Sequence, residues 1–536
     1  KGKYLILTDE QEKIIEQIKK PDCKLIKINA VSGAGKSSTL IEIAKALKVR
    51  SGLYVSYNKA IATEAASKFS AEVLCKTIHS LAYGYTVPNF NLKLIPTIKA
   101  RMIKENIHPV RKSFIVEALS RYFLSRHITI AEYIDEFYDG KFSPEEIDLM
   151  RNYFVLMKEG KIECSHDFYL KLFHVFLYHK IIKLPEYDLL MMDEAGDITG
   201  VSFEIFKLIE ADKKVMVGDN QQNIYSFNQT INGFEAFADE GTQMTLSQSF
   251  RVSTSLSPYV KEFCNTYLDN NMDFEGFPYK ALPKPNDITM FYIARTNSGI
   301  ISRMIELDMQ KKRYNLTRPV YSIFALPLLL MRLNKTPDSE IREPEYKFLE
   351  ADMKDWLSSP KIRKEFDSPL KYILSEHSDD QNIISAMNLL RKFSPWQIVQ
   401  TYTKAKEHEK SSTTYKITVT SAHSSKGLQA DIVELEDDIN EALHKVIEKQ
   451  QELAKTRLQI DKEKYGDKFE FKYEIHAPFN TVEPDMSLLP KEAIEEFRLY
   501  YVAITRAKFQ LQKAEWLSEK EVLTTQISMF DQRGNN

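Results

Sequence analysis

The segment Ala30-Val-Ser-Gly-Ala-Gly-Lys-Ser37 constrains this chain more than any other. Lys24 to Val31 reads as a buried strand, and Ser37 to Leu47 carries the apolar spacing of a helix. A strand that turns through two glycines, Gly33 and Gly35, into a helix N-terminus lets backbone N–H groups curl round phosphate oxygens. Glycine is otherwise scarce, 17 in 536 residues, so two within three positions need a reason. Lys36 would reach the β- and γ-phosphates of a nucleotide and Ser37 would offer its hydroxyl to Mg²⁺, while Ala30 takes the place of the first glycine in the usual pattern.

A nucleotide loop needs carboxylates near it. Leu189-Leu-Met-Met192 is an apolar strand that ends in Asp193-Glu194. Open parallel sheets bind ligands at the carboxyl ends of their strands, so both side chains emerge where a phosphate loop would sit. Asp193 is placed to hold the Mg²⁺ shell and Glu194 to orient and deprotonate an attacking water.

Around these motifs the chain alternates strands and helices, which implies an α/β fold with mostly parallel sheets. An amphipathic helix over Asp9 to Lys19 and strands at Leu53 to Tyr57, Asp188 to Met192, Lys214 to Val217, Lys416 to Thr420 and Ile432 to Leu435 are predicted. Two stretches, 89–184 and 301–411, are largely helical and read as insertions; prolines 319, 337, 344 and 360 break the second. The run Ile323 to Met331 is far short of the roughly 20 apolar residues of a membrane helix and reads as core.

Charge is less telling. The net charge is −2, from 73 basic and 75 acidic residues, so bulk charge announces no polyanionic partner. Between Lys93 and Arg126 eight Lys or Arg face two Glu, which suits either phosphate contacts or, more often, a solvated helical face. Glu441 to Lys464, with five acidic and six basic residues, reads as a solvent-facing helix. Four widely spaced cysteines form no zinc or disulfide pattern, and with no signal sequence they predict an intracellular protein. The expected location is the cytoplasm or nucleoid of a bacterial or phage-infected cell, or the nucleus of a eukaryotic one.

Further motifs carry a resemblance. Gln11, the Gly35-Lys36-Ser37 loop, Asp193-Glu194-Ala-Gly-Asp197, Val217-Gly-Asp219 with Gln222-Asn-Ile-Tyr225, Gln248-Ser-Phe-Arg251, His423-Ser-Ser-Lys-Gly-Leu428 and Tyr501-Val-Ala-Ile-Thr-Arg-Ala507 occur in this order. Together they resemble a UvrD/Rep-type superfamily 1 DNA helicase. Tyr57-Asn-Lys-Ala-Ile-Ala62 and Cys75-Lys-Thr-Ile-His-Ser80 are most similar to the F-box DNA helicase branch and its phage relatives, helicase core only.

The resemblance implies two RecA-like P-loop motor domains, each with a helical insertion: 1–88 with 185–255, interrupted by 89–184, and 256–300 with 412–536, interrupted by 301–411. It implies ATP as cofactor, bound between the motors, with Mg²⁺. Gln11 would read the adenine edge, Phe250 would stack on it, and Gly427 and Gln429 would lie near the ribose. Gln222 would sense the γ-phosphate. Arg251 and Arg506 would be arginine fingers, one from each motor. Tyr57, Asn58, His79, Tyr225, Phe227 and His423 would contact single-stranded DNA.

The implied activity is ATP-driven 3′→5′ movement along single-stranded DNA, separating strands in replication, repair or recombination. Implied partners are single-stranded DNA and single-strand/duplex junctions, with replication or recombination proteins beside them; a monomeric motor without membrane attachment is expected. A protein-clearing translocase and a nucleotide-gated DNA-binding scaffold stay open beside it. Four residues depart from the family's pattern: Gly196 stands for Gln, Asn228 for Arg, Gln429 for Glu, and Ser38 for an adenine-stacking Arg.

Overall fold

A computed structural model describes residues 7–514, except 225–229, 238–239, 270, 282, 379, 411–412, 450–451, 453–474, 477–480 and 483–490. The chain divides into two compact units, Lys1–Gln248 and Ser249–Asn536.

The first unit is built on six strands: β1 (Leu25–Ala30), β2 (Gly52–Ser56), β3 (Val73–Thr77), β4 (Tyr187–Met192), β5 (Ala211–Gly218) and β6 (Thr242–Leu246). All pair in parallel, in the order β3-β2-β4-β5-β1-β6. Such strands are covered on both faces, which is why Leu189 to Met192 of β4 read as an apolar run rather than an alternation. The opening helix α1 (Asp9–Lys19) starts at a capping box between Thr8 and Gln11 and buries Ile14, Ile15 and Ile18, as its spacing predicts. Helix α2 (Lys36–Ala46) follows the glycine loop and α3 (Lys59–Lys68) follows β2.

Between β3 and β4 the chain makes five helices: α4 (Ile78–Phe90), α5 (Pro109–Leu124), α6 (Ile130–Phe137), α7 (Pro144–Lys158) and α8 (His166–Tyr178). The helical excursion therefore begins at Ile78, inside the stretch assigned above to the motor. It also shares the motor's core. Leu53 and Val55 of β2, Phe168 and Phe173 of α8, and Phe203 and Phe206 of α9 (Gly200–Leu208) belong to one buried cluster. Much of the basic surface of this region is matched locally: Arg111 pairs with Glu146 at 2.5 Å, Arg121 with Glu117 at 2.8 Å and Arg126 with Glu136 at 3.2 Å.

The second unit opens with a small two-stranded sheet, β7 (Gln248–Ser253) against β8 (Glu275–Phe277). Its main sheet holds β9 (Met290–Ala294), β10 (Asn315–Leu316), β11 (Ile417–Ser421), β12 (Ala430–Leu435) and β13 (Ala507–Gln512), all parallel, in the order β10-β11-β9-β12-β13. The expected boundary after residue 255 is corrected here. The first sheet ends with β6, and β7 pairs with β8, so residues from Ser249 onward belong to the second unit.

Helix α10 (Ser257–Tyr267) follows β7, and α11 (Asn297–Met309) follows β9. Helix α12 (Val320–Lys335) contains the run Ile323 to Met331, and it is core as predicted. Val320, Ile323 and Phe324 pack into one cluster with α11 and β11, while Leu326, Leu329, Leu330 and Leu333 anchor a second with Leu349 and Ile373. Proline works here mostly at helix starts, where its missing N–H costs nothing: Pro319 precedes α12, and Pro360 opens a short helix. Helix α13 (Lys491–Ile504) leads into β13.

Residues 441–449 are helical, and their charged side chains face solvent while Leu443 is buried; most of the rest of the predicted charged helix lies outside the described residues. All four cysteines are free thiols. Among the described residues no helix is long and apolar enough to cross a membrane.

Candidate nucleotide and strand-binding site

The carboxyl ends of the first sheet gather most of the residues singled out in the first unit. Reading across the edge, β3 delivers His79, β2 delivers Tyr57 and Asn58, β4 delivers Asp193 and Glu194, β5 delivers Asp219 and Gln222, and β1 delivers the glycine loop. The phosphate-type residues thus occupy three adjacent strands, and the strand-type residues occupy the next two.

In the loop after β1, Gly33 and Gly35 have φ of 78° and 75°, a left-handed backbone that other residues adopt at a cost. Gly35 caps α2, so Lys36 and Ser37 begin the helix with their N–H groups free of intrahelical partners. The Lys36 ammonium lies 2.9 Å from Glu194 Oε1. Burial works against its charge, but Glu194, Asp193 and Asp219 outweigh that and hold its pKa above the ordinary value. A cation surrounded by three carboxylates, at the end of a loop of backbone donors, suits a polyphosphate carrying its own metal.

Asp193 is buried, and burial together with Glu194 raises its pKa. Its Oδ2 accepts from the Tyr54 hydroxyl at 2.7 Å and its Oδ1 from the Glu194 N–H at 2.9 Å. Tyr54, fully buried on β2, is a residue the motif reading missed, because a tyrosine inside an apolar strand looks like packing. Glu194 has φ of 57°, unusual for a side chain with a Cβ, and this backbone turn sends it toward Lys36.

The donor set fits Mg²⁺ of the kind nucleotide sites hold: one carboxylate, Asp193, and one hydroxyl, Ser37, with phosphate and water completing the shell. Among the described residues no group of three or more His, Cys, Asp or Glu is placed to hold a metal ion.

Asp219 caps the short turn Asn220–Gln222, accepting from the Gln221 N–H at 3.0 Å and from Gln222 Nε2 at 2.7 Å. Gln222 is buried, with its amide turned back on Asp219. Gln11 is likewise buried: its Nε2 donates to Thr39 Oγ1 at 2.8 Å and its Oε1 accepts from the Thr8 N–H at 3.0 Å. One N–H and one lone pair of that amide stay available for an adenine edge. Ala30, at the end of β1, is fully buried.

Gly196 has a steric explanation. A Cβ there would lie 2.8 Å from the Asp219 carbonyl oxygen. The turn after β4 rests on the turn after β5, and Ala195 N–H donates to Val217 O at 2.9 Å. The family's glutamine has no room in this packing.

On the neighbouring strands, Tyr57 is 56% exposed, and partial burial with Asp167 and Asp197 raises its pKa. Asn58 is exposed and caps α3, accepting from the Ala60 N–H at 2.7 Å. His79 Nε2 is 3.5 Å from Asp167 Oδ1, and its ring meets Tyr169 edge-on. Tyr83, one turn along α4 and 44% exposed, also meets Tyr169 edge-on, which makes it a further aromatic on this face. Tyr225, Phe227 and Asn228 lie outside the described residues.

In the second unit the two arginines come together, which corrects their expected assignment to different motors: Arg251 is on β7, not in the first unit. Arg251 Nε donates to Gln429 Oε1 at 3.1 Å. Arg506 is 1% exposed and donates to the carbonyls of Val502 at 2.8 Å and Leu428 at 3.2 Å. Phe250 is half-buried against Phe277, and Gly427 turns with φ of 85°. His423 follows β11 in a short turn; burial and the nearby Arg295 and Arg318 lower its pKa to about 4. Arg295 itself forks onto Glu496 through Nε and Nη2 at 2.9 and 2.6 Å.

Comparison with known proteins points the same way. The AAA domain family matches residues 11–228, and the UvrD-like helicase C-terminal domain family matches residues 370–513. The chain is 25% identical over 350 residues to F-box DNA helicase protein 1 of Schizosaccharomyces pombe, covering 56% of this chain and 39% of that protein. It is 28% identical over 278 residues to F-box DNA helicase 1 of Gallus gallus, covering 47% and 27%. It therefore spans well under half the length of these curated relatives. The two family matches fall on the two units in the order the motifs predict, and together with the relatives they support a UvrD-like superfamily 1 helicase core.

Proposed function

We propose that this protein is an ATP-hydrolysing DNA helicase that moves along single-stranded DNA. The observation that carries the reading is the ordered edge of the first sheet, with phosphate-type residues after β1, β5 and β4, the exposed Tyr57 and Asn58 after β2, and the half-buried His79 after β3. Lys36 leaves Glu194 for the β/γ-phosphates, and its release frees Glu194 to take the proton of the attacking water. Asp193, oriented by Tyr54, and Ser37 would hold Mg²⁺, whose charge would offset that developing on the phosphates. Gln222 turns from Asp219 toward the γ-phosphate. Arg251 and Arg506 stabilise the transferring phosphoryl group.

Tyr57 and His79, with Tyr225 and Phe227, hold bases of the strand, and His423 contacts it from the second unit. Movement is 3′→5′ and opens duplexes at single-strand junctions during replication, repair or recombination, with a monomer as the working unit. Phosphate release with and without an unstructured oligodeoxynucleotide tests the first half of the reading. Strand displacement on 3′-tailed and 5′-tailed duplexes tests the second. No stimulation by the oligonucleotide would overturn the motor assignment, and preference for the 5′ tail would overturn the polarity.

A further inference from the structure

Three rings surround one buried tyrosine where α4 meets α8. Tyr169 of α8 is buried, and the rings of His79, Tyr83 and His166 lie 6.0, 5.9 and 5.6 Å from it, crossing at 86°, 86° and 74°. Rings that cross so steeply meet edge to face, which their quadrupoles favour and which sets how each ring is turned. Two of the three, His79 and Tyr83, stand four residues apart on α4 and therefore share a face of that helix. His79 is half-buried with Asp167 Oδ1 3.5 Å from its Nε2, whereas Tyr83 is exposed.

The residues beside these two rings are small. Ser80 and Gly84 are exposed, and a Cβ on Gly84 would meet nothing within 4 Å. Glycine inside a helix weakens it relative to alanine, and packing within this unit gives no reason for one here. An open glycine next to an exposed ring lets a flat group lie against the ring while passing close to the helix backbone. Asp167, the charged group at His79, is a carboxylate, so it repels a phosphate and favours the uncharged part of a nucleotide, its base.

We propose that Tyr83 is a further strand-contact residue: its ring, oriented by Tyr169, stacks on a base of single-stranded DNA next to the base held at His79, and Gly84 leaves the room for it. This rests on the function proposed above, and it extends the strand site one helical turn beyond the motif that contains His79. Stacking suits a motor that must accept any sequence, because every base offers a ring face. The competing role for Tyr83 is to cover Tyr169 and nothing more.

The test measures the affinity of the full chain for a labelled oligothymidylate and for a strand of the same length whose every nucleotide is abasic. Tyr83→Ala should raise the Kd for the oligothymidylate at least about fivefold and leave that for the abasic strand within about twofold, because only a base can be lost from the ring. Tyr83→Phe, which keeps the ring, should bind both strands as wild type does. Gly84→Leu guards against misfolding: leucine suits a helix and its Cβ meets open space, so the melting temperature should hold or rise while oligothymidylate binding weakens. Normal oligothymidylate binding in Tyr83→Ala, or an equal loss on the abasic strand, would overturn the proposal. So would a Gly84→Leu variant that folds and binds like wild type, since a base could not then lie over that residue. Should the wild type bind neither strand, the reading of the protein as a DNA motor fails and this contact with it. Should it bind both strands while Tyr83→Ala and Gly84→Leu match it, only the contact fails.

Discussion

Lys36 Nζ and Glu194 Oε1 are 2.9 Å apart, so the proposed phosphate-binding cation and the proposed general base neutralise each other before nucleotide arrives. Binding must exchange this ion pair for contacts to phosphate, and the two groups are activated by the same event. Glu194→Gln removes the competitor and leaves the ammonium beside Asp193 and Asp219. ATP should bind at least as tightly as to wild type, while turnover falls by roughly 10²–10⁴, the usual range for a lost general base. Titration with a fluorescent ATP analogue beside phosphate release checks both halves. Loss of binding in this variant would mean that the carboxylate supports the loop rather than the chemistry.

Gly196 gives a prediction of the opposite kind. Restoring the family's residue with Gly196→Gln should not improve the enzyme, because the new Cβ meets the Asp219 carbonyl at 2.8 Å. Pushing the two turns apart should cost roughly 1–3 kcal/mol of stability, the range for overpacking. Denaturant unfolding reads it. A variant as stable as wild type would show that the turn after β5 yields freely.

Tyr57 separates strand binding from folding. At 56% exposed it contributes little to the core, so Tyr57→Ala should leave the melting temperature and the basal ATPase in place. DNA-stimulated hydrolysis and strand displacement should weaken by an amount corresponding to about 1–3 kcal/mol of base stacking. Unaltered stimulation would remove Tyr57 from the strand path.

The helical region carries a pH signature. His174 on α8 is fully buried, neither ring nitrogen has a hydrogen-bond partner, and burial with the nearby Lys171 lowers its pKa to about 3. The unfolded chain protonates this ring near pH 6.5 and the folded chain does not, so stability contributed by the neutral ring is lost as pH falls from about 6.5 toward 3. At pH 5 the penalty is about 2 kcal/mol. His174→Phe should remove it, so the difference in unfolding free energy between variant and wild type should move in the variant's favour between pH 7 and pH 5. A difference that stays constant would show that the ring is protonated in the folded state.

Much of this was written in the sequence, for a physical reason. Parallel strands end where ligands bind, so Asp193 and Glu194 directly follow the apolar run Leu189 to Met192, and Lys36 follows β1 across one glycine loop. What stayed hidden were contacts between residues distant in sequence. Tyr54 and Asp193 are 139 positions apart, and Arg251 and Gln429 are 178. Nothing in either local sequence betrays the partner. The boundary between the units was hidden by proximity instead. Only Ser247 separates β6 from β7, so two strands of different sheets read as one continuous extension.

The shared core of the first unit has an energetic corollary. Helix α8 contributes Phe168, Leu170, Leu172 and Phe173 to the same cluster as Leu190 and Met192 of β4. The helices between β3 and β4 are therefore expected to have no melting transition of their own, because opening them would expose the buried face of the sheet. Slow amide exchange in α8 and in β4 should therefore report one cooperative event, so that the nucleotide edge shares the stability of a helical region that bears none of its proposed phosphate or metal ligands. Damage to that helical core, however remote from Lys36, reaches the edge as a loss of folded protein rather than as a defect in chemistry.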